Sequence, residues 1–132
     1  MTLVLRTPPP SRPVLRLRLA PRRGMPRSID GAWWPRSYDL TAELPSLLAG
    51  LPRAWGHITS VMVNGATWPA APGHVLVGDR IVRLRRTLAA SAPNTVILLS
   101  PGRGRWDLLV VPPDTDEESA ERLMAAATDG RA

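Results

Sequence analysis

The sequence contains no cysteine, no lysine and no phenylalanine. Without cysteine there is no disulfide framework, no thiolate metal site and no cysteine nucleophile. His57 and His74 are the only histidines, too few for a histidine-built metal site, so neither a metal nor a cofactor is expected. No segment approaches the ~20 apolar residues that cross a bilayer. Leu3-Val4-Leu5 runs straight into Arg6 and Pro8-Pro9-Pro10 and is too short for a signal-peptide core. A cytoplasmic protein with no membrane partner is therefore expected. Catalytic motifs are scarce as well: there is no G-x-S-x-G elbow, no P-loop ending and no three-glycine dinucleotide fingerprint. Catalysis has no motif to rest on, and an enzyme with an unrecognised site stays only as a third reading.

What is present is arginine, proline and tryptophan. The 132 residues carry 17 basic side chains, all of them Arg, against 11 acidic ones, for a net charge of +6, with 15 Pro and 5 Trp. This length suits one domain with a modest core. Arginine without lysine is what codon usage in a GC-rich genome produces, so the high charge by itself argues only weakly for a polyanionic partner. Charge is also uneven: residues 1–36 hold eight Arg against one acid, and residues 107–132 hold seven acids against two Arg.

Residues 1–13 contain four prolines and read as a flexible tail, residues 14–128 as a single domain, and residues 129–132 as a C-terminal tail. Leu15, Leu17 and Leu19 alternate with Arg16 and Arg18, the pattern of a half-buried strand. Residues 20–38 hold Pro21, Gly24, Pro26, Gly31 and Pro35 and are expected to form a long loop carrying Trp33 and Trp34. Leu40, Leu44, Leu47, Leu48 and Leu51 then form the apolar stripe of a helix. With Thr41 or a neighbour as N-cap, Pro45 falls in the first turn; an earlier start puts it inside the helix.

A strand is expected within residues 56–64, then a hairpin of residues 74–77 and 80–86 joined at Gly78-Asp79, because glycine accepts positive φ at the first turn position. The runs Thr95–Leu99 and Leu108–Val111 are continuously apolar and predict strands covered on both faces. Pro112-Pro113 ends the last strand, and Thr115 with Glu118 forms a potential capping box for a final helix. The expected fold is α+β: a curved, mostly antiparallel sheet of about six strands with two helices on one face, in the order β-loop-α-β-β-β-β-β-α.

The segments Asp30-Gly31-Ala32-Trp33-Trp34-Pro35-Arg36-Ser37, Trp55-Gly56-His57-Ile58-Thr59 and Asp107-Leu108-Leu109-Val110-Val111-Pro112-Pro113-Asp114-Thr115-Asp116 resemble a family of small actinobacterial proteins of unknown function. The resemblance spans roughly residues 14–128 and implies neither an activity nor a catalytic residue. Its GC-rich, cytoplasmic setting agrees with the codon reading of the arginines.

Two clusters are candidate sites. The first is the Trp33-Trp34 loop. Adjacent side chains of an extended segment point to opposite sides, so one indole can plug the core while the other borders a cleft. Arg36 can stack on an indole or pair with Asp30. Trp106 and Asp107 join Asp30, Trp33, Trp34 and Arg36 as ligand- or partner-binding candidates, with Trp55 and Trp68 as further walls. The alternative is a packed lid with both indoles buried. The second cluster is an arginine face. If the strands bearing Arg16 and Arg18 and those bearing Arg83 and Arg85 are neighbours, four guanidinium groups form a ladder that calls for counter-charges or a polyanion such as nucleic acid. Arg80 and Arg86 would enlarge it, and Arg103 and Arg105, in a Gly-Arg-Gly-Arg turn, can present guanidinium groups and backbone amides to a phosphate. The bland reading is a solvated face paired with the acidic end of the chain. The favoured function is a small binding or regulatory module acting through a protein or small-molecule partner near the tryptophan loop, with oligomeric state open. The alternative is an accessory nucleic-acid binder.

Overall fold

The computed structural model describes residues 15–20, 29–68, 72–87 and 94–128. The expected tails at 1–13 and 129–132 lie outside them. The strands are β1 (Leu17–Leu19), β2 (Gly31–Trp33), β3 (Ser60–Asn64), β4 (His74–Val77), β5 (Arg80–Thr87), β6 (Thr95–Ser100) and β7 (Gly104–Val110). The helices are α1 (Leu40–Ala49) and α2 (Glu117–Thr128), with a short 3-10 turn at Arg53–Trp55. No helix of the described residues is long and apolar enough to cross a membrane.

All seven strands form one sheet in the order β1-β2-β7-β6-β3-β5-β4. The α+β class holds, but the sheet is mixed: β2 runs parallel to β7 and β3 parallel to β5, while the other neighbours are antiparallel. The extra strand is β2, which lies inside the segment expected to be a loop. It is three residues long and begins with glycine, and it exists because its backbone is paired on both sides, by β1 and by β7. The hairpin β4-β5 turns at Gly78, whose φ of 63° is the left-handed value expected for that position.

Period-two alternation sorts the side chains into two layers. On one face Trp33, Val61, Val63, Val75, Val82, Leu84, Val96, Leu98, Trp106, Leu108 and Val110 form the main core with Leu40, Leu44 and Leu47 of α1. On the other, Ala32, Trp34 and Val111 pack with Ala120 and Met124 of α2. The two helices thus lie on opposite faces, not on one as the sequence suggested. Among the described residues, the second face is covered where α2 packs on β1 and β2. Ile97, Leu99 and Leu109 remain half-buried, so the apolar runs of β6 and β7 are enclosed fully on one side alone.

Helix α1 starts two residues earlier than a Thr41 cap would place it. Asp39 is its N-cap and accepts the Thr41 N–H at 3.1 Å. Pro45 consequently sits at the sixth helical residue and removes the N–H that the Thr41 carbonyl would accept. Glu43 compensates at the entry: its carboxylate accepts the Arg36 N–H at 3.1 Å and the Ser37 hydroxyl at 2.9 Å.

At α2 the capping box does not form. Asp116 accepts the Ser119 N–H at 3.0 Å, and its own carbonyl accepts that of Ala120 at 2.9 Å. The Ser119 N–H, then the Ser119 side chain, hold the Asp116 carboxyl below its ordinary 3.8. A depressed folded-state value contributes stability that is present above 3.8 and lost as pH falls through the lower value. Amide protection in the first turn of α2 should therefore weaken below pH 3.8 in the native chain. Asp116→Asn, an equally good cap, should flatten that dependence in hydrogen exchange; an unchanged acid profile would exclude Asp116 as its source.

Candidate functional site

The tryptophan segment obeys its alternation, but both indoles are enclosed. Trp33 is 1% exposed and stacks on Trp68 with ring centroids 5.8 Å apart, while Tyr38 meets Trp68 edge-on at 5.1 Å. Trp34 points to the α2 side, where its Nε1–H donates to the Pro112 carbonyl at 3.1 Å. Arg16 closes it from outside: the guanidinium lies 3.6 Å from the ring centroid and donates to the Trp34 and Pro35 carbonyls at 3.0 and 3.1 Å. Burial, and then the positive charge of Arg36, lower the Arg16 pKa from its ordinary value. Trp106 stacks on Trp55 at 4.4 Å, within the main core.

Asp30 and Asp107 do meet, as strand partners. The Asp107 N–H donates to an Asp30 carboxylate oxygen at 2.8 Å, and the Asp30 N–H donates to the Asp107 carbonyl at 2.7 Å, which extends the β2-β7 ladder. Asp107 in turn holds Arg105 by a two-pronged pair at 3.0 and 3.1 Å, and that bond raises the Arg105 pKa. Arg36 is exposed, and its backbone is the part engaged. Of the six candidate residues, Trp33 and Trp106 therefore belong to the main core and Trp34 to the α2 layer, while Asp30 and Asp107 form a backbone clasp.

The arginine ladder is divided by the strand order. β2, β7, β6 and β3 stand between β1, which Arg16 and Arg18 flank and occupy, and β5, which carries Arg83 and Arg85. Arg103 leaves the β6-β7 turn and donates to the Ala54 carbonyl at 3.4 Å. Arg83 and Arg85 are exposed on the second face, and among the described residues no carboxylate pairs with them.

Two features escaped the sequence reading. One is an exposed apolar pair beside those arginines: Leu76 and Ile81, 65% and 68% exposed, stand directly opposite each other on β4 and β5. The signal was available, since Ile81 is in phase with Arg83 and Arg85, not with Val82 and Leu84. Strand β4 is also an end of the sheet. In a two-residue hairpin the pair flanking the turn exchanges hydrogen bonds, so Val77–Arg80 and Val75–Val82 are bonded inward and the N–H groups of His74 and Leu76 point to the open edge. The Leu84 N–H donating to the Gly73 carbonyl at 2.8 Å continues that alternation.

The other feature is a cleft of about 130 Å³ on the opposite side of the same hairpin. Leu48 and Ala49 at the end of α1, Ile58, Val77 and Val82 form its walls, and Gly56, His57 and Arg80 its remaining lining. Arg80 Nη2 lies 3.1 Å from His57 Nε2. A guanidinium can only donate, so in this contact Nε2 accepts and the ring proton sits on Nδ1. Among the described residues no three His, Asp or Glu side chains group to hold a metal ion.

No curated protein and no solved structure matches the chain. One family model does, over residues 16–127, from Arg16 over Trp34 to the end of α2. The chain thus belongs to DUF5994, a family of unknown function.

Proposed function

We propose that the protein is a non-catalytic binding module whose working surface is the edge of β4, which ends the sheet among the described residues, and that its partner is an extended protein segment whose every second residue, on one face, is in turn apolar and acidic. The Leu76–Ile81 pair carries this reading. Large apolar side chains this exposed, next to a strand edge with no neighbour strand among the described residues, form a template for strand addition. The N–H groups of His74 and Leu76 would bond the partner backbone. Because these four side chains share the second face, the partner residues turned to that face would be apolar beside Leu76 and Ile81 and acidic, two positions on, toward Arg83 and Arg85 on the next strand. The tryptophan loop is the weaker location, because Trp34 is capped by Arg16 and both indoles are enclosed. A polyanion is disfavoured too, because Arg105 is neutralised by Asp107 and Arg16 is committed to Trp34.

The test is fluorescence anisotropy with a labelled ten-residue peptide in which every second residue is Thr and the positions between are Val and Glu in turn, against the same peptide with Lys in place of Glu. Saturable binding of the Glu peptide alone is expected. Leu76→Pro removes an outward donor without touching the bonds to β5, a place where edge strands tolerate proline, and should weaken binding at least tenfold while the amide spectrum keeps the hairpin. Equal binding of both peptides overturns the reading. So does binding of single-stranded DNA that needs Arg83 and Arg85 but not Leu76, or a second copy of the chain occupying the edge in sedimentation equilibrium.

A further inference from the structure

We infer that the cleft between α1 and the β4-β5 hairpin is a binding site for a small monocarboxylate with a branched aliphatic body, held by Arg80. This site is separate from the β4 edge: Val77, Arg80 and Val82 face it, whereas Leu76, Ile81 and Arg83 face away. The side chains of Leu48, Ile58, Val77 and Val82 supply its apolar walls. Its volume of about 130 Å³ is close to the roughly 150 Å³ of an apolar cavity that accepts benzene. A body of four to six heavy atoms, on the order of that size, fits it.

The polar side chains of the lining are His57 and Arg80, in contact with each other. Arg80 spends one N–H on His57 and keeps the rest of its fork for a planar anion. No carboxylate among the described residues pairs with Arg80, Arg53 or Arg103, the three guanidinium groups carried by the β4-β5 hairpin, the 3-10 turn and the β6-β7 turn at this end of the sheet. The neighbouring acid, Asp79, occupies the turn itself and is exposed. His57 orients the guanidinium through its Nε2, so it is a positioning residue.

Gly56 borders the cleft in a backbone conformation that requires glycine. Gly56 adopts φ 73° and ψ −155°, a conformation that side chains avoid, and a Cβ there would lie 2.8 Å from Cγ of Arg103. The glycine thus leaves room for Arg103, which donates to the Ala54 carbonyl at 3.4 Å.

The experiment is a titration of the full chain, followed by amide and Arg Nε NMR shifts, with three probes: isovalerate, its neutral amide and inorganic phosphate. Isovalerate should shift Gly56, His57, Val77 and Arg80 saturably, at a concentration at least tenfold lower than either other probe requires. Arg80→Gln should weaken isovalerate at least tenfold. Ala49→Leu, a change at an exposed helical position that fills the cleft from its rim, should do the same with the fold intact. Equal response to the amide would reduce the cleft to an apolar hole, and equal response to phosphate would reduce Arg80 to a surface cation; either result overturns the inference. Isovalerate binding that survives both substitutions places the ligand elsewhere and overturns it as well.

Discussion

Trp33→Ala is expected to cost about 3–5 kcal/mol of unfolding free energy, the range for removing a large buried aromatic. Domains of this size hold only about 5–15 kcal/mol in total. Trp33 is 1% exposed and stands on β2, between the edge strand β1 and the rest of the sheet, with its ring stacked on Trp68. Its removal opens a cavity under α1 and leaves the Trp68 face without a partner, losing about 0.5–1.5 kcal/mol of ring–ring interaction as part of that sum. In urea titration followed by circular dichroism, the midpoint should fall steeply with the slope retained, and the thermal midpoint should drop by on the order of 15 °C. Trp33→Phe keeps a stacking ring and should recover much of the loss. A cost below about 1 kcal/mol, within the range of ordinary surface changes and small repacking, would mean that Trp33 lines a space and does not fill one.

That prediction separates two readings the sequence left open. Two neighbouring tryptophans in a Pro- and Gly-rich segment fit either a pocket or a lid, because alternation fixes only that they point apart. The deciding contacts are long-range: Trp68 for one ring, Arg16 and the Pro112 carbonyl for the other. Elements specified by local pattern were legible. The leucine stripe of α1 buries Leu40, Leu44 and Leu47, and the Gly78-Asp79 turn joins β4 to β5. The apolar runs at β6 and β7 were legible as strands, but not as half-covered ones, since where α2 packs is not written in β6 or β7.

The candidate sites fared differently because they depend on strand order. Arg18 and Arg83 have the same local signature, an arginine alternating with leucine or valine. One ends beside β2 at the sheet's far edge, and the other beside the exposed Ile81. Nothing in either strand reports that distance. What the strand did report, an isoleucine in phase with arginines, was legible and marks the surface on which the proposed function rests. His57 and Arg80 lie on segments separated by strand β3 and the β4 hairpin arm, and their 3.1 Å contact follows from the parallel β3-β5 pairing. Parallel neighbours have no short connection to betray them.

Gly31→Ala should be the second most damaging single change, through close approach and not through backbone angle. Gly31 is buried in β2 between Leu19 on β1 and Leu108 on β7. A Cβ on it would lie 2.7 Å from the Arg18 carbonyl oxygen, 2.9 Å from Leu19 Cδ2 and 3.2 Å from Leu108 Cδ2. The leucine methyls can swing aside; the carbonyl belongs to the β1 backbone and cannot move unless the strand does. Overpacking of this kind costs about 1–3 kcal/mol. Because β1 is only three residues long and pairs with β2 alone, the expected relief is its displacement. Arg16 would move with it and uncover Trp34, whose carbonyl it holds. The damage should therefore be local before it is global. Hydrogen exchange of the Ala20 and Trp34 amides, which bond across β1 and β2, should speed up by at least tenfold while the β6-β7 ladder keeps its protection, and Trp34 fluorescence should shift to the red. Uniform loss of protection across the sheet would show instead that β1 and the central strands unfold as one unit, and the reading of Gly31 as a local spacer would fail.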